Sequence, residues 1–169
     1  MCWFNTLGTV PLAELGAIAA EPVEPMPASE MSGLLRDLDD PAIERLLNVV
    51  GAGSTAPLAV VQIRHLGGAL ARASAAEGPA GAVLEPYQFF CLGVPVAPEV
   101  EAAIETCFAD VRKALAGHST GRTMFTFLVA DDDPARAFSP AALARLRQLK
   151  RRTDPYGVIR SNRHVLPRG

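Results

Sequence analysis

The side chains of this sequence that are able to do chemistry are three histidines, three cysteines and one run of three aspartates. None of His65, His118 and His164 has a cysteine or a carboxylate at the spacing that a metal site needs. A catalytic histidine also requires an oriented partner, and the sequence places none beside these residues. We therefore expect surface or hydrogen-bonded histidines, and neither a metal ligand nor a general base.

Three further segments could be mistaken for functional sites. The aspartates at 131–133 precede a proline and their side chains diverge, which favours a turn over a magnesium site. Residues 66–69 (LGGA) lack the spacing of a phosphate-binding loop, so a tight turn is expected. Cys91 has no neighbouring base or cation and is predicted to be a small buried hydrophobe. The residues alone therefore give no complete catalytic constellation.

The composition is that of one folded domain. The chain has 169 residues, of which 49% are hydrophobic and 20% charged, so we expect a single domain spanning 1–169. A disordered tail would be richer in charge, and a chain of this length does not need disulfides to build a core. No apolar run approaches the roughly 20 residues of a membrane span. The first basic residue is Arg36 and the cysteines are scattered, which predicts a cytoplasmic protein with reduced thiols.

Charge is distributed unevenly along the chain. Residues 1–144 carry 17 acidic and 8 basic side chains, whereas residues 145–169 carry 1 acidic and 8 basic ones. A nucleic-acid site is disfavoured because no aromatic platform or recognition motif accompanies the basic segment. The alternative is that the segment packs on the acidic body of the same protein or of a partner.

Capping residues and apolar periodicity predict three helices. Asp40 is expected to cap a helix that starts with Pro41 and ends at Gly51. A second helix opens at Pro98, carries one apolar stripe, and ends at Gly117. The third runs from about 140 to 152 and stops before an Asp-Pro pair.

Three short apolar segments predict strands, at 58–66, within 82–94 and at 123–129. The proline-rich residues 21–27 predict an extended connector, and the Gly/Ala-rich residues 67–81 predict turns and loop. Connections this short and irregular do not suit repeated βαβ units. The expected fold is therefore α+β, an antiparallel sheet with helices packed on one face, and so thin a sheet is expected to leave an edge or a face uncovered.

Two stretches resemble a known family. Residues 62–72 (QIRHLGGALAR) and 143–155 (LARLRQLKRRTDP) are similar to the C-terminal part of the berberine-bridge-enzyme-like FAD-linked oxidases. That family closes with L-x-x-L-K-x-x-x-D-P-x-x-x-F-x-x-N, and here Ile159 replaces the aromatic residue whereas Asn162 is retained. The resemblance extends over about residues 12–166.

The resemblance implies a flavin-dependent oxidoreductase fold of which this chain is one part. Members of the family are longer and carry an FAD domain with the phosphate loop and the flavin-tethering residues, which this sequence lacks. The chain resembles the later part of the substrate domain, and Asn162 in the basic segment 154–169 is the residue whose match implies a cofactor contact. Two departures concern the flavin or substrate face: Thr126 stands where the family often has Asn, and Glu85–Pro86 stand where it has His-Arg.

The function that follows is a substrate-binding and flavin-capping domain without its own FAD domain. FAD is implied by the resemblance only, and the chain alone is not expected to hold it, so a separate FAD-domain protein is the expected partner. The alternative is a non-catalytic or cofactor-free small-molecule binding domain that forms a homodimer through the face the FAD domain would cover.

Overall fold

The structure is a computed structural model, and it describes these residues of the chain: 9–14, 24–72, 78–129, 132–159, 161 and 165–166. The first part of the expected connector, 21–23, lies outside the described residues, as do Asp131, Asn162 and His164. Residues 24–28 have no helix or strand.

The centre of the fold is a three-stranded antiparallel sheet in which the last strand along the chain lies in the middle. The strands are β1 (Ser29–Leu35), β2 (Val60–His65) and β3 (Tyr87–Gly93). Phe89 is paired with Gly33 on one side and with Ile63 on the other, which fixes the register of the whole sheet. The α+β class and the antiparallel sheet predicted from the sequence are confirmed.

One predicted strand is wrong and one was missed. Residues 123–129 contain a short 3₁₀ turn, Phe125–Phe127, and no strand. The loop that precedes residues 123–129 lies along the outer edge of β1 instead. Leu34 donates its N–H to Arg122 O, and its carbonyl accepts from Thr120 N. β1 was missed because its sequence, SEMSGLL, contains serine, glutamate and glycine, which have low strand propensity.

The three helices are α1 (Asp40–Val50), α2 (Pro98–Ala114) and α3 (Pro140–Thr153). Their positions are as predicted, with small differences at the ends. The N-cap of α1 is Asp39, whose side chain accepts from Ala42 N, and not Asp40. α2 ends with Leu115 as its C-cap, two residues before Gly117. No helix in the described part of the chain is long and apolar enough to cross a membrane.

The core lies between α1, α2 and one face of the sheet. Side chains alternate along each strand, so this helix-covered face is formed by Met31, Leu35, Val61, Phe89 and Cys91. The helices supply four buried side chains to it: Leu46, Ile104, Phe108 and Val111. α3 lies apart from this layer; its one buried residue is Leu143, and it contacts the short turn Pro134–Arg136.

Candidate functional site

The opposite side of the sheet, here called the outer face, carries Ser32, Gln88 and Arg64. Ser32 and Gln88 are buried although they lie away from the helices. The Gln88 amide donates to Ser32 Oγ at 3.2 Å, and the hydroxyl of Thr123 donates to the same oxygen at 3.3 Å. These three side chains form a buried polar cluster in which each group has a partner, which is the condition for polar groups to be tolerated there.

Next to this cluster, Arg64 lies over two aromatic rings. Its Cζ is 5.1 Å from the Phe127 ring centroid and 5.9 Å from that of Phe90, both within the range of a cation–π contact. The two rings meet edge to face at 5.5 Å. The Gln62 side-chain oxygen accepts from Arg64 Nε at 3.1 Å and from Nη2 at 2.7 Å. The guanidinium is therefore held in place while it stays exposed to solvent.

A buried carboxylate fixes the loop that covers the outer face along β1. Both oxygens of Glu85 accept from Arg122 Nη1, at 2.9 and 3.0 Å, and Thr120 donates to one of them at 3.2 Å. Glu85, one of the two residues that stand where the family has His-Arg, therefore has a structural role here. It joins the start of β3 to the loop at 120–122.

The two described histidines are both engaged. His118 is buried, and its Nδ1 lies 2.5 Å from Asp37 Oδ1. Its Nε2 is 3.4 Å from Arg45 Nη2, while Arg45 Nε donates to Ala114 O at the end of α2. This cluster joins α1 to α2. His65 stacks on Tyr87 at 5.2 Å. The sequence interpretation of these two histidines as surface or hydrogen-bonded is confirmed.

The other segments examined in the sequence are turns. Asp133 accepts from Ala135 N and Asp132 pairs with Arg136, so the described aspartates hold a turn as predicted. The glycine pair ends β2 in a turn with positive φ at Gly67 and Gly68. No group of three or more His, Cys, Asp and Glu is gathered as a metal-ligand set in the parts of the chain that the structure describes.

The two described cysteines are buried and free. Burial, reinforced by the nearby Cys107, raises the pKa of Cys91 to about 12, so its thiol stays protonated at neutral pH. Burial also raises the pKa of Cys107, with a smaller effect of Asp110. Cys91 is thus the small buried hydrophobe that was predicted, and no nucleophile.

The end of α3 is organised by Asp154. Its carboxylate pairs with Lys150 and accepts the backbone N–H groups of Val158 and Ile159 at 2.8 and 3.0 Å. The ion pair and these hydrogen bonds lower the pKa of Asp154. Arg147 donates to Val165 O at 2.7 Å, so the chain returns to α3 after the turn. Asn162, the residue expected to report a cofactor contact, lies outside the described residues, and its role stays a prediction.

Beyond Asp154, the basic C-terminal segment makes no ion pair with the acidic part of the chain among the residues that the structure describes. A groove of about 340 Å³ lies beside α3, between Arg145, Leu149 and the loop at Gly78. A smaller and more polar cavity of about 170 Å³ lies at β1, next to Ser32 and Arg136. Among the described residues that line these two cavities, no nucleophile is paired with a base.

The family resemblance implies FAD, whose diphosphate would bind best at a helix N-terminus, so the N-termini of the described helices test whether these residues fit it. α1 opens with Asp39 and Asp40, and α2 with Glu99 and Glu101, which repel a phosphate. In the first turn of α3, the backbone N–H of Ala142 donates to the side chain of the cap residue Ser139. The described residues therefore do not fit the diphosphate part of FAD, and no reaction step is assigned to flavin within them.

Comparison with known proteins supports the resemblance at the level of the fold. No protein-family model matches the chain, and no curated protein matches its sequence. Wild-type BBE-like 1 of Physcomitrella patens, a solved structure, is similar with a TM-score of 0.67 and 15% identity; the match covers 89% of this chain and 33% of that one. The D396N variant of the same protein gives 0.66 and 14%, with the same coverage. This chain thus spans a third of the length of its structural neighbours and shares the fold of a berberine-bridge-enzyme-like protein over that part.

Proposed function

We propose that the chain is the substrate-binding and flavin-capping part of a berberine-bridge-like FAD-dependent oxidoreductase. The observation that carries the proposal is the fold similarity over 89% of this chain to one third of BBE-like 1. In such enzymes the cofactor supplies the redox chemistry and the protein positions the substrate against it. A partial chain of this kind contributes the positioning surface.

The outer face is the surface that this function would use. The helix-covered face is packed against α1 and α2 over its buried cluster. The outer face instead offers exposed Arg64, the half-buried ring of Phe90 and the buried amide of Gln88. An apolar surface with a few fixed polar groups is typical of small-molecule sites.

A second polypeptide would hold the FAD. The described helix N-termini do not suit its diphosphate, which supports a separately encoded FAD-domain partner. The test is visible absorbance of two preparations. The recombinant chain, desalted, is expected to show no flavin bands, and the tagged chain isolated from its own cells is expected to co-elute with a flavoprotein. One flavin per recombinant chain would refute the separate FAD partner, and a chain isolated alone without flavin would refute the proposed function.

Asn162 offers a sharper test of the same complex. Asn162→Ala is expected to weaken binding to the flavoprotein partner while it changes the free energy of unfolding by less than about 0.5 kcal/mol. Asn48→Ala, at an exposed position of α1, is the matched control and should leave binding unchanged. Equal affinities for the two variants would remove Asn162 from the proposed contact.

The second candidate is a cofactor-free small-molecule binding domain that self-associates. The edge of β2 favours it. The Leu66 N–H donates to the carbonyl of Pro86, just before β3, so by alternation the backbone groups of Val61 and Ile63 point away from the sheet. Within the described residues no backbone hydrogen bond reaches them. An open edge is a template for a second strand. Light scattering at roughly 50 µM distinguishes the two candidate functions, because only the second requires the isolated chain to be a dimer.

A further inference from the structure

We propose that Arg64 binds the carboxylate of a planar aromatic acid on the outer face. This inference rests on the proposed function for the identity of that ligand as a substrate, but the binding itself needs no flavin. It is carried by three observations together: a guanidinium that is held in place, a charge that no described carboxylate pairs with, and two phenylalanine rings beside it.

The hydrogen bonds of Arg64 leave part of its binding capacity free. A guanidinium has five N–H donors, and Gln62 accepts from Nε and from Nη2. Both N–H groups of Nη1 and one of Nη2 have no acceptor among the described residues. The fixed side chain loses little rotamer entropy when a ligand binds, so each new hydrogen bond contributes more to affinity.

The charge of Arg64 has no carboxylate partner in the described part of the chain. Gln62 is neutral, and none of the ion pairs between described residues includes Arg64. The other arginines with described partners donate to backbone carbonyls or carboxylates: Arg36, Arg45, Arg122, Arg136 and Arg147. Arg64, whose described acceptor is a neutral amide, presents its positive charge to an incoming anion.

The neighbouring rings select the body of the ligand. The rings of Phe127 and Phe90 lie beside the guanidinium, and the side chain of Arg64 is exposed to solvent. A carboxylate accepts from the free N–H groups in the plane of the guanidinium, and a planar ring attached to it adds apolar and aromatic contact with the two phenylalanines. A phosphate is a poorer match, because the ion would meet one cation and no helix N-terminus at this position.

The test is a titration of the isolated chain with benzoate, followed by amide chemical shifts. Benzoate is expected to shift resonances of β2 and β3 and to bind at least ~10-fold more weakly to Arg64→Gln. Arg64→Lys keeps the charge but loses the planar fork, so an intermediate affinity is expected. Arg72→Gln, an exposed arginine in the turn after β2, is the matched control and should bind benzoate as the wild type does. Circular dichroism of each variant checks that the fold is retained.

Ligand analogues test the two halves of the inference. Benzamide has the ring without the charge and acetate has the charge without the ring, so both are expected to bind at least ~10-fold more weakly than benzoate. Benzoate binding that is unchanged in a folded Arg64→Gln variant, or equalled by benzamide, would overturn the proposal. The proposed function fails separately. If the isolated chain binds benzoate but the tagged chain from its own cells co-elutes with no flavoprotein, only the proposed function is refuted; if it co-elutes with a flavoprotein but does not bind benzoate, only the Arg64 site is refuted.

Discussion

The two faces of the sheet are formed by the same three strands, but they are stabilised in different ways. On the helix-covered face, alternate residues such as Met31 and Phe89 are apolar and meet the buried stripes of α1 and α2. On the outer face, the residues between them include Ser32, Gln88 and Arg64. A loop covers Ser32 and Gln88 in place of a helix, and Arg64 is exposed. One face is stabilised mainly by removing apolar area from water, the other by hydrogen bonds that must all be satisfied.

This difference separates stability from recognition. Apolar contacts are not directional, so the helix-covered face can tolerate exchange of one aliphatic side chain for another. The outer face depends on particular atoms, because Ser32 Oγ is the common acceptor of Gln88 and Thr123. Directional groups that are fixed but partly exposed are what a ligand can recognise, so we expect function to depend on the outer face.

The largest loss of stability is expected on the helix-covered face. Phe108 is almost fully buried at the centre of the core, so Phe108→Ala should lower the free energy of unfolding by about 3–5 kcal/mol. Phe125, half exposed and stacked on Phe138, is the control at the other side, and its loss should cost at most about 1.5 kcal/mol. Urea denaturation measures both. Similar losses for the two variants would contradict the division between the faces.

A smaller loss is expected where the helix-covered face is already full. A Cβ on Gly93 would lie 2.7 Å from two atoms of the buried Ile104 side chain, so Gly93→Ala should destabilise by about 1–3 kcal/mol. Gly117→Ala, where a Cβ meets nothing within 4 Å, is the matched control and should be close to neutral. If Gly93→Ala is also neutral in the same denaturation experiment, α2 does not pack tightly on β3 at this position.

On the outer face, removal of the Ser32 hydroxyl oxygen is expected to lower the free energy of unfolding. Ser32→Ala removes the acceptor of Gln88 and Thr123 and leaves two buried donors without a partner. The expected cost is about 1–2 kcal/mol, in the lower part of the range for unsatisfied buried groups, because the Thr123 hydroxyl can rotate toward another acceptor. The double variant Ser32→Ala with Thr123→Val should recover part of this loss. Additive losses would show that the two residues act independently.

The helix-covered face was accessible to sequence reasoning, and the outer face was not. Helix starts have local signals in the sequence. The Asp-Pro pair at 40–41 predicted the start of α1 to within one residue of its cap, Asp39, and the Ser-Pro pair at 139–140 marks the start of α3. The polar cluster is made of residues 56 and 91 positions apart, which only the strand register brings together. The alternation of Gln88 and Phe90 with Phe89 and Cys91 in β3 was the available signal for a two-faced strand.

The dependence on contacts between distant residues also explains the wrong strand prediction at 123–129, next to β1. Phe125 and Phe127 alternate as strand residues do, yet their rings pack on different and distant partners, Phe125 on Phe138 and Phe127 on Phe90. The family resemblance gave the fold that the solved structures support, since it depends on the whole order of elements. It could not locate the Asp37 contact of His118, because these residues are 81 positions apart.

The smallest effect is expected at the end of α3, away from both faces, and it depends on pH. Lys150 and the backbone N–H groups of Val158 and Ile159 lower the pKa of the Asp154 carboxyl below its ordinary value of 3.8. A carboxyl whose pKa is lower in the folded state stabilises that state above its unfolded-state pKa, and this contribution is lost as pH falls through the folded-state value. Asp154→Asn should therefore lower the melting temperature at pH 7, and the difference from wild type should shrink as pH falls below about 4.

Lys150→Gln separates the ion pair from the backbone contacts. It removes the largest cause of the lowered pKa and leaves the N–H groups of Val158 and Ile159 in place, so its melting difference should be smaller than that of Asp154→Asn. Thermal melts of both variants and the wild type between pH 7 and 3 measure this. A difference for Asp154→Asn that stays constant across the range would mean that the carboxylate charge does not stabilise this turn. Asp154 would then stabilise the end of α3 through contacts that do not depend on its charge.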